Sequence, residues 1–115
     1  MEGEGPPPQP LLRLERTDHD GVPYLELIGE LDLSTANPLK LRLELIEREE
    51  PKKMVVDLRR VTFMDSIGLG ILLAHRLRGN KAGRQLMLIQ GPSQIQDLFA
   101  LTGTQDSFDW VPAPS

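Results

Sequence analysis

No cysteine occurs among the 115 residues of the chain, and this absence excludes several kinds of functional site. Disulfide bonds, zinc–thiolate centres and cysteine nucleophiles all need a thiol. Because small secreted domains are commonly cross-linked by disulfides, a chain without cysteine favours a reducing compartment. We therefore expect the protein to reside in the cytoplasm.

Aromatic residues, excess positive charge and long apolar runs are scarce as well. Aromatic residues make up 4% of the chain and the formal net charge is −4. Neither a stacking platform for single strands nor a basic nucleic-acid surface is therefore expected. The longest nearly apolar stretch, residues 67–74, is too short to span a bilayer. We expect no nucleic-acid partner and no direct membrane insertion.

The length is that of one domain, with a short tail at each end. Residues 1–10 (MEGEGPPPQP) contain almost nothing to bury. This composition predicts a disordered or polyproline-like tail, and it lacks the apolar run of a signal peptide. Residues 11–111 contain the apolar patterns of a folded domain, and residues 112–115 are expected to fray.

Residues 34–50 fit two kinds of secondary structure. Four leucines alternate with other residues, as in a strand: Leu39, Leu41, Leu43 and Leu45. Leu39, Leu43 and Ile46 fit one stripe of a helix equally well. Strong helix formers, a polar capping segment at residues 34–37 and a proline in the first turn favour the helix, which we predict here.

The other segments predict alternating strands and helices. Strands 11–16 and 22–28 form a hairpin that turns at an Asp-Gly pair. Further strands are predicted at residues 54–58, 61–64, 86–89 and 107–111, and helices at residues 67–78 and 94–101. Leu77 and Leu101 belong to the apolar stripes of these two helices, and Ser93 is expected to cap the last one.

The element order β-β-α-β-α-β-α-β indicates an α/β fold. In this order residues 54–64 count as one strand, which leads into the helix that follows. Short apolar strands alternating with helices are typical of a mixed, mostly parallel sheet, here of about five strands packed against helices. The first strand is expected to run antiparallel because of the hairpin. On general grounds, helices would cover both faces of such a sheet.

The segment VTFMDSIGLG, residues 61–70, is the strongest local signal for function. A strand ends, Asp65-Ser66 follows, and a helix begins whose free N–H groups would stabilise a phosphate. Asp65 or Ser66 is expected to cap this helix. A glycine inside a helix costs about 1 kcal/mol relative to alanine. Gly68 and Gly70 therefore indicate either close packing on the sheet or close approach of a partner.

Two motifs in register resemble the STAS domain family, in particular bacterial anti-sigma factor antagonists. Residues 63–70 (FMDSIGLG) resemble the family's signature, and residues 29–32 (GELD) fall at the family's strand-to-helix loop. The element order also matches from about residue 12 to residue 111. The resemblance implies a mixed sheet packed on one side by helices, in place of the two-sided cover expected above.

The resemblance also implies a binding protein, and we expect that this chain is not an enzyme. Such an antagonist binds an anti-sigma factor that is also a serine kinase, and thereby releases a sigma factor to regulate transcription. The kinase phosphorylates the serine that follows the motif's aspartate, here Ser66, and this breaks the complex. A PP2C-type phosphatase restores it. ATP and magnesium would belong to the kinase, so no cofactor or metal is expected in this chain.

The residues expected to bind the partner cluster around Ser66. They are Asp32, Asp65, Ser66, Ile67, Gly68, Leu69 and Ile71. On the sequence alone, a turn residue or a cap for the next helix is the somewhat better interpretation of Asp32. Ile67 and Ile71 lie off the main apolar stripe of their helix, which fits either an exposed contact surface or a helix buried on more than one side.

Two departures from the family pattern keep a second function open. Residue 67 is isoleucine where the family usually has a second serine or threonine, and many relatives continue into a C-terminal helix that is not expected here. The alternative is a non-phosphorylated STAS scaffold subunit of a membrane lipid or anion transport system. An enzyme is the weakest hypothesis, because the sequence shows no phosphate loop and no histidine–acid pair. His19 and His75 are both expected at the surface.

Overall fold

The computed structural model describes residues 11–114, and within them five strands alternate with three helices. The strands are β1 (Leu12–His19), β2 (Val22–Leu31), β3 (Lys53–Met64), β4 (Gln85–Ile89) and β5 (Asp109–Trp110). The helices are α1 (Ala36–Glu47), α2 (Ser66–Lys81) and α3 (Ser93–Thr102). Short 3₁₀ turns at Leu33–Thr35 and Gln105–Ser107 precede α1 and β5. The predicted element order is confirmed, and the predicted tail at residues 1–10 lies outside the described residues.

The five strands form one mixed sheet in the order β1-β2-β3-β4-β5. β1 and β2 pair antiparallel, and each later neighbouring pair is parallel. The hairpin turns at Asp20 and Gly21, whose φ angles are 53° and 79°. A two-residue turn needs positive φ angles at both central residues in order to match the twist of its strands. Because this turn is so tight, pairing continues to His19 and Val22. The first strand therefore runs beyond its predicted end at residue 16, whereas the second begins at residue 22 as predicted.

Residues 36–47 form the predicted helix and not the alternative strand. Leu39, Leu43 and Ile46 are buried on one stripe, whereas Leu41 and Leu45 are 61% and 54% exposed. Burial therefore follows the helical period, and the alternation of leucines does not reflect a pleated strand.

All three helices pack on the same face of the sheet, so the two-sided cover expected on general grounds is wrong. A single apolar cluster joins buried residues of all three helices to alternate strand residues such as Leu27, Val56 and Leu88. On the other face, the buried Asp57 carboxylate pairs with the Arg59 guanidinium at 2.7 Å. The one-sided arrangement implied by the family resemblance is confirmed.

Three predictions about individual helix residues are wrong. Leu77 and Leu101, expected on apolar stripes, are 58% and 85% exposed. Ser93 is the first residue of α3 and makes no cap, because Pro92 occupies the capping position. Gly103 ends α3 in the left-handed conformation, with a φ of 70°.

His75 is fully buried, contrary to the surface position predicted for it. Its Nδ1 atom hydrogen-bonds the carboxylate of Glu47 at the end of α1, and its Nε2 atom lies 3.0 Å from the Met54 sulfur. Burial lowers the pKa of His75 below its ordinary 6.5, and Glu47 offsets only part of this effect. The nearby Arg78 and Arg84 cations oppose protonation further. The imidazole is therefore neutral near pH 7.

We predict that His75 makes the stability of the fold depend on pH. Below about pH 6.5 the unfolded chain binds a proton that the folded chain resists, so the free energy of unfolding falls as pH decreases. One such residue contributes a slope of at most about 1.4 kcal/mol per pH unit. Urea unfolding at several pH values above 5 measures this slope, and the window excludes Glu47, which titrates below its ordinary 4.5.

His75→Leu is expected to flatten that slope, whereas His19→Leu, at an exposed position in β1, is expected to leave it unchanged. The comparison uses slopes, because His75→Leu also alters core packing and thus absolute stability. Equal slopes for His75→Leu and the unaltered protein would contradict the prediction.

Candidate functional site

Strands β2 and β3 end side by side, and their ends bring two distant loops together. Leu31 pairs with Met64 in the parallel ladder, and the Asp65 N–H donates to the Leu31 carbonyl oxygen at 3.2 Å. Asp32 and Asp65 therefore begin neighbouring loops at one edge of the sheet. In open α/β sheets, this carboxyl edge is where ligands and partners commonly bind.

Asp65 caps α2, which decides between the two capping residues predicted from the sequence. Its Oδ1 atom accepts hydrogen bonds from the N–H groups of Ile67 at 2.9 Å and Gly68 at 3.1 Å. Ser66 is the first helical residue and is exposed. Because Asp65 supplies the cap, the Ser66 hydroxyl is left free for other chemistry.

Asp32 caps the 3₁₀ turn that precedes α1. Its Oδ1 atom accepts hydrogen bonds from the Ser34 hydroxyl at 2.6 Å and the Ser34 N–H at 2.9 Å. Thr35 completes a reciprocal capping box, because its hydroxyl oxygen accepts from the Asp32 N–H at 3.0 Å. The hydrogen bond from the Ser34 hydroxyl lowers the pKa of Asp32 below its ordinary 3.8. Asp32 is thus a structural cap and also an anionic group beside the Asp65 loop.

Exposed apolar side chains surround this pair of loops. Leu33 is 75% exposed, Phe63 49% and Ile67 44%. Leu33 and Phe63 line a shallow depression together with Asp32, Ser34 and Asp65. An exposed cluster of large apolar side chains with a polar rim is typical of a protein-binding surface.

A second depression lies on the other side of Ser66, between α1 and α2. It has a volume of about 330 Å³ and is lined by Lys40, Ser66, Ile67, Gly70, Ile71, Ala74 and Arg78. Ile67 is exposed here, while Ile71 is half-buried and packs against the core. Ile67 therefore fits the alternative of an exposed surface, and Ile71 fits the alternative of a helix buried on more than one side.

The two glycines of α2 serve different purposes. A Cβ atom on Gly68 would lie 2.7 Å from the Leu31 carbonyl oxygen, so this glycine permits close packing of α2 on the end of β2. A Cβ atom on Gly70 would meet no atom of residues 11–114 within 4 Å. Gly70 therefore leaves open space in the groove, and packing does not require it.

Leu69 and Gly68 are buried, although both were expected in the partner-binding set. Leu69 is 4% exposed and belongs to the apolar core. The structure thus supports packing roles for these two positions. In the rest of the set, Ser66 and Ile67 are exposed, and Asp32, Asp65 and Ile71 are half-buried.

Sequence reasoning missed Leu33, Phe63 and Lys40 as members of this surface. The available signal was the placement of a leucine and a phenylalanine directly beside the polar residues of the two motifs. Lys40 had no such signal, because its place opposite α2 follows from helix packing alone.

The histidine–acid pair that the sequence did not reveal lies away from this surface. His75 and Glu47 meet in the interior, where the imidazole is fully buried and cannot reach a substrate. Among residues 11–114, no group of three or more histidine, cysteine or acidic residues could hold a metal ion. Within the same range, each helix is too short or too polar to cross a membrane.

Comparison with known proteins assigns the chain to one family. The model of the STAS domain family matches residues 13–113. The anti-sigma F factor antagonist of Paenibacillus polymyxa is 30% identical over 93 residues, covering 80% of this chain and 80% of that protein. The chain therefore belongs to the STAS domain family.

Two solved structures with this fold come from different classes of protein. An anti-sigma factor antagonist from Mycobacterium paratuberculosis superposes with a TM-score of 0.81 at 28% identity, over 89% of this chain and 86% of that chain. A sulfate transporter family protein from Wolinella succinogenes superposes with a TM-score of 0.67 at 26% identity, over 79% of this chain and 74% of that chain.

We predict opposite effects of alanine at the two glycines of α2. Gly68→Ala is expected to lower the free energy of unfolding by about 1–3 kcal/mol, because the added Cβ atom would overlap the Leu31 carbonyl. Gly70→Ala is expected to raise it by about 1 kcal/mol, because alanine is the better helix former and meets no neighbour. Chemical denaturation measures both variants, and each is the control for the other. Effects of the same sign would contradict the assignment of different purposes.

Proposed function

We propose that this chain is an anti-sigma factor antagonist whose binding is switched by phosphorylation of Ser66. It binds an anti-sigma factor with serine kinase activity, releases a sigma factor and so regulates transcription in the cytoplasm. The observation that carries this proposal is the exposed Ser66 hydroxyl at the start of α2, left free by the Asp65 cap and flanked by exposed apolar side chains. The similarity to named anti-sigma factor antagonists supports it.

The apolar residues around Ser66 provide the attraction for a partner. Leu33, Phe63 and Ile67 are exposed in the free chain, and covering them would remove apolar surface from water. Asp32 and Asp65 add fixed anionic groups that give orientation and specificity. Interfaces commonly combine an apolar centre with such a polar rim.

A phosphate on Ser66 would disrupt this surface by charge. It adds about −1.5 to −2 charges at pH 7, next to the carboxylate of Asp65. The sequence alone suggested that the free N–H groups of the helix would stabilise the phosphate, but Asp65 already accepts the N–H groups of Ile67 and Gly68. Repulsion and desolvation therefore dominate, and a partner that fitted the neutral hydroxyl fits the phosphorylated surface poorly.

In this function, the partners carry out catalysis. The anti-sigma factor supplies the kinase together with ATP and magnesium, and a PP2C-type phosphatase removes the phosphate. This chain acts by binding, as a protein without a cofactor of its own. The full burial of the His75 imidazole, which its contact with Glu47 holds in the core, supports this role.

We predict that a serine kinase anti-sigma factor from the same genome phosphorylates the chain on Ser66 and binds it less tightly afterwards. With kinase and ATP, mass spectrometry should locate one phosphate on Ser66, and Ser66→Ala should remove it. Ser66→Asp is expected to weaken binding at least about tenfold, or 1.4 kcal/mol, in calorimetric titration.

Ser93→Asp is the matched control, because Ser93 is the exposed first residue of α3 as Ser66 is of α2. It should leave the affinity unchanged. Absence of phosphate from Ser66, or undiminished binding by Ser66→Asp, would count against the proposal.

A second candidate function is a non-phosphorylated STAS scaffold in a membrane lipid or anion transport system. The similarity to a sulfate transporter family protein favours it, as does the isoleucine at position 67. Co-purification of the chain with membrane components, and no kinase among its bound proteins, would favour this function over the first.

A further inference from the structure

The groove between α1 and α2 has a charge pattern that the proposed phosphorylation site alone does not explain. Its floor and walls are apolar or small: Ile67, Gly70, Ile71 and Ala74. Both charged residues that line it, Lys40 and Arg78, are cations, and no carboxylate of residues 11–114 belongs to the lining. The groove therefore complements an apolar segment that also presents negative charge.

The two helices run in the same direction, which places Lys40 on the Ser66 side of the contact between Glu47 and Arg78. α1 follows β2 and α2 follows β3, and these strands are parallel. Near the other end, Arg78 meets Glu47 at 3.0 Å. Lys40 precedes Glu47 by seven residues, or about 10 Å along the axis, and Ser66 precedes Arg78 by twelve residues, or about 18 Å. Lys40 therefore lies about 8 Å along the groove from Ser66, which also lines it.

The two cations of the groove differ in their partners. The Arg78 guanidinium is neutralised by the Glu47 carboxylate, to which it donates at 3.0 Å and 3.4 Å. Lys40 is exposed, and its ammonium forms no ion pair with the part of the chain that the structure describes. Lys40 is therefore the cation available to an incoming anion.

We propose that the groove binds an amphipathic helix of the anti-sigma factor, with a carboxylate of that helix on Lys40, and that a phosphate on Ser66 competes for the same ammonium group. This inference rests on the proposed function and adds the chemistry of the partner's contact. An amphipathic helix in an apolar groove is a common recognition mode. The absence of a side chain at Gly70 lets the backbone of that helix approach α2 closely.

The competition gives the switch a definite mechanism. In the unmodified chain, Lys40 pairs with the partner's carboxylate across a partly desolvated groove. After phosphorylation, the phosphate with about −1.5 to −2 charges lies in the same groove, on the Lys40 side of the Glu47–Arg78 contact, and takes over the Lys40 ammonium group. The partner's carboxylate then loses its counter-charge and faces a like charge, so the complex dissociates.

The first test needs no partner. A chain carrying phosphoserine at position 66 is titrated by ³¹P NMR, which reports the second pKa of the phosphate, ordinarily about 6. Lys40→Ala is expected to raise this pKa by up to about 0.7 unit, the effect of one surface ion pair. Lys81→Ala removes the same charge at the far end of α2 and should leave the pKa unchanged. An equal phosphate pKa in all three chains would overturn the competition.

The second test measures affinity for the serine kinase anti-sigma factor by calorimetry. Lys40→Glu is expected to weaken binding at least about tenfold, or 1.4 kcal/mol, with Lys81→Glu as the control. Gly70→Met puts a side chain into the groove from a position where a Cβ atom has open space and should weaken binding similarly, whereas Asn80→Met, exposed on α2, should not. Circular dichroism and thermal unfolding confirm that each variant is folded.

The outcomes separate the two proposals. If Ser66→Asp weakens binding while Lys40→Glu and Gly70→Met bind normally, the groove is not the contact and the phosphorylation switch stands. If the unaltered chain binds no anti-sigma factor, the proposed function and the groove's occupant both fail. Weakened binding by Lys40→Glu and Gly70→Met, together with the NMR shift, supports the competition.

Discussion

The parallel pairing of β2 with β3 is the constraint on which the rest of the site depends. Because Leu31 and Met64 are partners in the ladder, the loops that follow them must lie side by side. The contact is kept close by Gly68, whose backbone packs against the Leu31 carbonyl where a side chain would not fit. Helix α2 therefore begins at a fixed position beside the Asp32 turn, and Ser66 is presented at the edge of the sheet.

The caps at this edge of the sheet use the carboxylates of Asp32 and Asp65 and do not use the hydroxyl of Ser66. Asp32 and Asp65 each satisfy backbone N–H groups that would otherwise lack a partner at the start of a helical segment. Ser66, the first residue of α2, takes no part in these caps, so the modification proposed for it would not require the fold to change. The switch proposed for Ser66 would act through surface charge, while the core beneath it stays the same.

The order of the strands and helices and the site motif were predictable because their signals are local. Helical periodicity identified the buried stripe of α1, Asp20-Gly21 identified the hairpin, and Asp65-Ser66 identified the start of α2. The one-sided packing of the helices followed only from the family resemblance. Errors arose where burial depends on distant residues: Leu77 and Leu101 fit apolar stripes and yet face solvent.

The sequence by itself determined the element order, the capped start of α2 and the pair of motifs that meet at the sheet edge, because each depends on neighbours within a few residues. Only the tertiary structure decided that His75 is buried against Glu47, 28 residues away, that Gly68 packs while Gly70 stays open, and that Lys40 shares a groove with Ser66. These are contacts between separate elements, and strand pairing and core packing set the positions of those elements. Such contacts produce no periodic pattern in the sequence.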